Sequence, residues 1–242
     1  MLTRSTTQVK NEYEHQHQEE GLRMLLNTDG FAVYRHKVAI PDISTRKYNN
    51  KDSVIIFNDI GHNDRKRSMC EVTNKKKDTN VRLLIDECEQ WLKVLIPTAT
   101  IFTWVELHSK PHCGQQCAHI DYQPHLLEGV NPVRYPIGCL LAIMDDTRLV
   151  VWPTALIMNP ITSPIEPIVL ILQAGDVVVF RADLVHAGAS YDKPNSRLHC
   201  FIDNSAASHI PNTTWKIHKD PISEFIIQDA RKAISVLKSP IR

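Results

Sequence analysis

Apolar positions along the chain change texture twice. Residues 1 to about 20 hold few of them and are rich in Glu, Gln and His, the pattern of an exposed or frayed start. Leu22–Leu26 reads as the end of a helix, Asn27–Gly30 as a turn and Phe31–Tyr34 as a short strand. Val81, Leu84, Ile85, Cys88, Trp91, Leu92 and Leu95 then recur at spacings of three and one. That stripe predicts an amphipathic helix capped at Thr79 or Asn80 and stopped by Pro97. Before it, 63–78 is polar and carries Arg65, Lys66, Arg67, Lys75, Lys76 and Lys77. Charge blocks are usually solvated, so a loop is expected there; a substrate-gating lid or a phosphate-seeking surface is the sharper alternative.

After Pro97 the helical period gives way to short apolar runs separated by Pro, Gly and Asp. They are Ile101–Leu107, Gly138–Met144, Leu149–Trp152, Ile168–Leu172, Asp176–Phe180 and Leu198–Ile202. Six strands at this density predict a sandwich or barrel. Past Asp203 a polar stretch leads to a last helical stripe at Ile222, Ile226, Ala230, Ala233 and Leu237. The expected organisation is mainly β with flanking helices, in a single domain. Region 1–97 packs on a β core spanning 98–204, and 205–242 forms a C-terminal extension with a helix.

Composition narrows the class. Of 242 residues 43% are apolar, and 28 Lys and Arg nearly balance 27 Asp and Glu. A net charge of +1 gives no electrostatic case for nucleic acid or an anionic membrane as main partner. The longest largely apolar run, Leu149–Met158, contains Pro153 and falls short of the ~20 residues needed to span a bilayer. With no apolar signal core at the start, an intracellular, cytoplasmic protein is the expectation. Six cysteines are too sparse for a disulfide scaffold. Cys113 and Cys117, flanked by His112 and His119, lack the spacing of a zinc knuckle and read as thiols.

The chemistry concentrates in the β region. In an extended His119-Ile120-Asp121 the His and Asp side chains share a face. His186 follows 67 residues after His119. Two imidazoles and a carboxylate on one side of a metal leave positions open, as in non-haem Fe(II) oxygenases. Alone, such a tripeptide is common and usually marks solvated strand ends. The stretch around His186 adds context: Ala174-Gly175-Asp176 opens an apolar strand, a second strand delivers His186 with Gly188 after it, and a Pro-Asn-Ser turn leads to Arg197. An arginine so placed can clamp a dicarboxylate through two charge-assisted hydrogen bonds.

Taken together, His119-x-Asp121, the GDVVVF strand, His186-x-Gly188 and Arg197 resemble the 2-oxoglutarate- and Fe(II)-dependent oxygenases. The NTDGFAVY segment at 27–34 is similar to the opening of their phytanoyl-CoA-hydroxylase-like branch. The resemblance implies a double-stranded β-helix, or jelly roll. It implies Fe(II) held by His119, Asp121 and His186, and the distal carboxylate of 2-oxoglutarate held by Arg197. Conversion of 2-oxoglutarate and O2 to succinate and CO2 would then accompany hydroxylation, or demethylation through hydroxylation, of an unidentified substrate, with ascorbate as an accessory reductant. Halogenating relatives have a small residue where Asp121 stands, and the nucleic-acid demethylase branch has an arginine where Asp203 stands. Both departures favour hydroxylation of something other than nucleic acid.

Strand parity adds one expectation. If Arg197 faces inward, so do His199 and Phe201, while Leu198, Cys200 and Ile202 pack on the other side. A buried His199 needs a partner, so it either hydrogen-bonds a neighbour or lines the cosubstrate pocket. On the strand 101–107 the aliphatic face of Ile101, Thr103, Val105 and Leu107 is the better interior candidate. Two other functions fit the same residues: an iron oxygenase that does not use 2-oxoglutarate, and a non-catalytic jelly-roll binding module.

Overall fold

In the computed structural model, residues 20–41, 54–55, 65–72, 79–97, 101–157, 165–203 and 214–217 are described. The expected C-terminal helix and most of the polar N-terminal stretch lie outside them. A helix over 20–28, α1, is followed by β1 (Phe31–Tyr34), β2 (Val54–Ile55) and β3 (Arg67–Glu71). The long helix α2 (Thr79–Leu95) precedes β4 (Ile101–Ser109), β5 (His119–Ile120) and the single turn α3 (Pro124–Leu127). Then come β6 (Ile137–Ala142), β7 (Thr147–Leu156), β8 (Ile168–Leu172), β9 (Val177–Arg181), β10 (Leu184–Gly188), β11 (Asn195–Asp203) and β12 (Trp215–Lys216).

These strands form two antiparallel sheets. The larger runs β1-β9-β6-β11-β4-β3-β2 and the smaller β12-β5-β10-β7-β8. Alternation along each strand sorts side chains into three layers. Between the sheets, Leu140, Ala142, Val178 and Phe180 of the larger meet Leu149, Val151, Leu172 and Leu184 of the smaller. On the outer face of the larger sheet, Trp104, Cys139, Val179, Leu198, Cys200 and Ile202 pack under α1 and α2. The α2 stripe buries Val81, Leu84, Ile85, Cys88, Leu92 and Leu95, and Trp104 Nε1 donates to Glu89 Oε1 at 2.9 Å. Among the described residues no helix is long and apolar enough to cross a membrane.

Each of the six apolar runs falls on a strand: Ile168–Leu172 coincides with β8, and the others differ from their strands at one or both ends, Gly138–Met144 running past the end of β6. Three differences have physical causes. The 63–78 segment is not simply a solvated loop, because β3 lies inside it and hydrogen-bonds along β4 in the register Arg67↔Ser109, Met69↔Leu107, Glu71↔Val105. The strand through Leu149 continues past Pro153 to Leu156, tolerated because its pairing with β10 is irregular between Leu184 and His186. Thr79 and Asn80 lie within α2 rather than ahead of it. Strands β1, β2 and β3 join the larger sheet, so residues before 98 supply sheet as well as helix.

Candidate active site

β5 lies antiparallel to β10 so that His119 and His186 are register partners. Both rings point between the sheets, with centroids 4.5 Å apart. Asp121 follows immediately after β5, and its Oδ1 lies 3.5 Å from His186 Nε2. One ligand-type atom from each of His119, Asp121 and His186 falls within 4.8 Å of the other two, and all three residues are buried. They are the one such cluster among the described residues, and neither Cys113 nor Cys117 joins it.

Backbone carbonyls orient both imidazoles. His119 Nδ1 lies 2.8 Å from Cys117 O and His186 Nδ1 lies 3.0 Å from Leu184 O. A carbonyl accepts only, so each ring carries a proton on Nδ1 and turns its Nε2 edge toward the partner residues. That is how protein imidazoles are prepared for metal ligation. Asp121 Oδ2 is buried and accepts no hydrogen bond, with Nε2 of His199 3.5 Å away. A buried carboxylate oxygen without a donor is costly unless a cation completes it. The donor set therefore fits a divalent ion.

Electrostatics agree with this picture. Burial, reinforced by the neighbouring His186, pulls the pKa of His119 down to about 3, so it is neutral near pH 7. Burial opposes ionisation of Asp121, yet the imidazole of His186 outweighs it and holds the carboxyl well below its usual range. His186 moves the other way: burial disfavours its charge, and the Asp121 carboxylate more than compensates, leaving the pKa raised.

β11 supplies the rest. Arg197, His199 and Phe201 pair with Leu107, Val105 and Thr103 of β4, which puts all six on the face between the sheets. Leu198, Cys200 and Ile202 go to the helical layer. Arg197 is 3% exposed, donates from Nη1 to Ser109 Oγ at 3.0 Å and lies over the Tyr191 ring at 5.3 Å. Among the described residues it meets no carboxylate. His199 stacks edge-on against Phe201 at 4.6 Å, and Phe180 packs on both His186 and His199. Beyond them Tyr122 Oη donates to Asp203 Oδ1 at 2.5 Å, beside Tyr135 and Leu127. Two further residues of this region stand out only in the structure: Ser109, fully buried at the end of β4, and Arg67, 1% exposed on β3.

No family model matches the sequence, and no curated protein does. Solved structures do match. The epimerase SnoN in complex with Fe3+, alpha ketoglutarate and nogalamycin RO superposes with a TM-score of 0.59 at 15% identity, covering 81% of this chain and 88% of that one. The non-heme alpha ketoglutarate dependent carbocyclase SnoK gives 0.60 at 12% identity, covering 79% and 86%. A Pseudomonas putida prolyl-4-hydroxylase gives 0.53 at 13%, covering 77% and 98%. At such identities the likeness establishes the fold: this chain is a double-stranded β-helix of the kind that non-haem 2-oxoglutarate-dependent enzymes use.

Proposed function

We propose that this protein is a 2-oxoglutarate- and Fe(II)-dependent dioxygenase that hydroxylates, or demethylates through hydroxylation, an organic substrate. One observation carries the reading. The space between the sheets holds both a three-donor cluster with a bare carboxylate oxygen and a buried guanidinium that meets no acid among the described residues. A metal cation and a dianion together would satisfy both. Related folds with the iron and cosubstrate present support the same class.

In this reading His119, Asp121 and His186 hold Fe(II), which when bound supplies the O2 activation that couples 2-oxoglutarate decarboxylation to substrate oxidation. The remaining work belongs to the chain. The carbonyls of Cys117 and Leu184 fix which nitrogen of each imidazole is available. His119, already neutral, has no proton to release before it ligates. Arg197 binds the far carboxylate of the cosubstrate, so that the keto acid is oriented with its other end toward the metal ligands. The buried rings of Phe180, Tyr122 and Phe201 keep water from the reacting groups.

The test is direct. The protein, loaded anaerobically with Fe(II), should bind 2-oxoglutarate and, on admission of air, release succinate in proportion to 2-oxoglutarate consumed. Asp121→Ala should abolish both metal binding and succinate release. A metal-loaded protein that does not bind 2-oxoglutarate would overturn the assignment.

A further inference from the structure

Arg67 comes from the basic segment and yet ends inside the molecule. Its register partner on β4 is Ser109, to whose Oγ its Nη1 donates at 3.2 Å. Its Nη2 donates to the carbonyls of Gly114, at 2.6 Å, and Ala189, at 2.5 Å. Those carbonyls belong to the loop before His119 and to the residue after β10. The guanidinium is thereby tied to three points and is not at liberty to swing toward a ligand. Arg197 reaches the same Ser109 Oγ from the opposite strand, at 3.0 Å, and the same Tyr191 ring lies beside both guanidiniums, at 5.9 and 5.3 Å. That ring is itself pinned, its hydroxyl accepting from Arg148 N and donating to Arg148 O.

A serine hydroxyl accepts with two lone pairs and donates one proton, whereas a guanidinium only donates. With Arg67 and Arg197 both donating to it, Ser109 has both acceptor positions filled. Its own O–H is left as a donor, and among the described residues no group accepts it. We propose that Arg67 is a positioning residue of the cosubstrate pocket: it and Arg197 together hold Ser109 with its O–H directed to the carboxylate that Arg197 binds. The proposal rests on the 2-oxoglutarate reading of the site and names a determinant of cosubstrate affinity outside β11. An arginine suits this place, since its planar fork reaches one hydroxyl from Nη1 and two carbonyls from Nη2 at once.

The experiment compares wild type, Arg67→Met, Arg67→Lys, Ser109→Ala and the Arg67→Met/Ser109→Ala pair, all loaded with Fe(II). The readouts are 2-oxoglutarate Kd by anaerobic calorimetry, kcat and KM from succinate release, metal affinity and Tm. Arg67→Met and Ser109→Ala should each weaken 2-oxoglutarate binding about tenfold, the loss of roughly one hydrogen bond to a charged group. The double variant should be no worse than the weaker single one, because either change already removes the directed O–H. At saturating 2-oxoglutarate, kcat should stay within about threefold of wild type, as expected when uniform binding is lost.

A merely structural Arg67 would instead lower Tm and metal affinity while leaving Kd for 2-oxoglutarate unchanged. Additive effects in the double variant would also overturn the proposal. Should Arg67→Met fail to fold, Arg67→Lys and Ser109→Ala decide: a Kd within about twofold of wild type in both sinks it. Failure of wild type to bind 2-oxoglutarate at all would be the separate failure of the site reading.

Discussion

His119 and His186, 67 residues apart in the chain, are direct partners across the β5–β10 pairing, their rings 4.5 Å apart and each tied at Nδ1 to a backbone carbonyl. The metal-type cluster is therefore a property of strand register. A slip of one residue would turn one imidazole out to the other face of the sheet. Such a site is stiff before any ion enters it.

Removal of one donor should be felt at the metal and little in the fold. Asp121→Ala and His186→Ala are each expected to weaken Fe(II) binding beyond the ~10–100-fold typical of losing an outer hydrogen-bond partner. The β core supplies the stability, so far-UV circular dichroism should be unchanged. Calorimetric titration with Fe(II) or Zn(II) checks this; retained affinity in either variant would mean that another residue completes the set.

Arg197 should separate cosubstrate from metal. Arg197→Lys keeps the charge but loses the fork, and Arg197→Met loses both. A charge-assisted hydrogen bond contributes about 1.5–3 kcal/mol, so Lys should cost roughly tenfold in 2-oxoglutarate affinity and Met considerably more. Metal affinity should stay as in wild type. An equal loss of metal affinity would place Arg197 in the scaffold rather than in the pocket.

Gly138 on β6 tests the wall behind the ligands. A Cβ there would collide with the ring of Phe180, its register partner on β9, and that ring packs against His186 at 4.9 Å. Phe180 is buried, so it cannot yield without disturbing His186 or His199. Gly138→Ala should cost about 1–3 kcal/mol of stability, as overpacking does. It should weaken metal binding as well, read by denaturant titration and metal titration on the same sample.

Much of this was legible in the sequence because strands alternate. Apolar runs marked strands, among them the edge strand β8 with Ile168, Val169 and Ile171 exposed, and parity alone put Arg197, His199 and Phe201 on one side and Leu198, Cys200 and Ile202 on the other. The aliphatic face of β4 likewise turns to the interior, where Val105 pairs with His199, while Trp104 packs under α2. Arg67 was not legible. Within a run of like charges nothing local separates it from Arg65; its burial follows from the β3–β4 register, which is a long-range property. Ser109 escaped for the same reason, since a small hydroxyl at a strand end carries no signal until two arginines converge on it. β2 and β12, two residues each, are too short for any period to show.

Asp176 offers a pH test outside the site. Its fully buried carboxylate closes the turn before β9, accepting from Gln173 N and His36 N at 2.9 Å and from Arg35 Nη1 at 2.6 Å. Burial opposes its charge, but the two backbone N–H groups and the guanidinium outweigh that and hold the pKa below the usual aspartate value. Below the unfolded pKa of ~3.9 the unfolded chain takes up the proton first, so this stabilisation is present above that pH and is lost as pH falls through the folded value. An asparagine has one acceptor oxygen and an N–H2 that would face donors. Asp176→Asn should therefore cost about 1–3 kcal/mol at pH 7. In a chain of this size that lowers Tm by about 2–4 °C per kcal/mol. The difference between wild type and variant should shrink as pH is taken below about 4, because wild type loses what the variant never had. Thermal melts of both proteins at pH 7, 5 and 3.5 decide it, and a gap that stays constant across that range would show that the Asp176 charge contributes nothing to the turn.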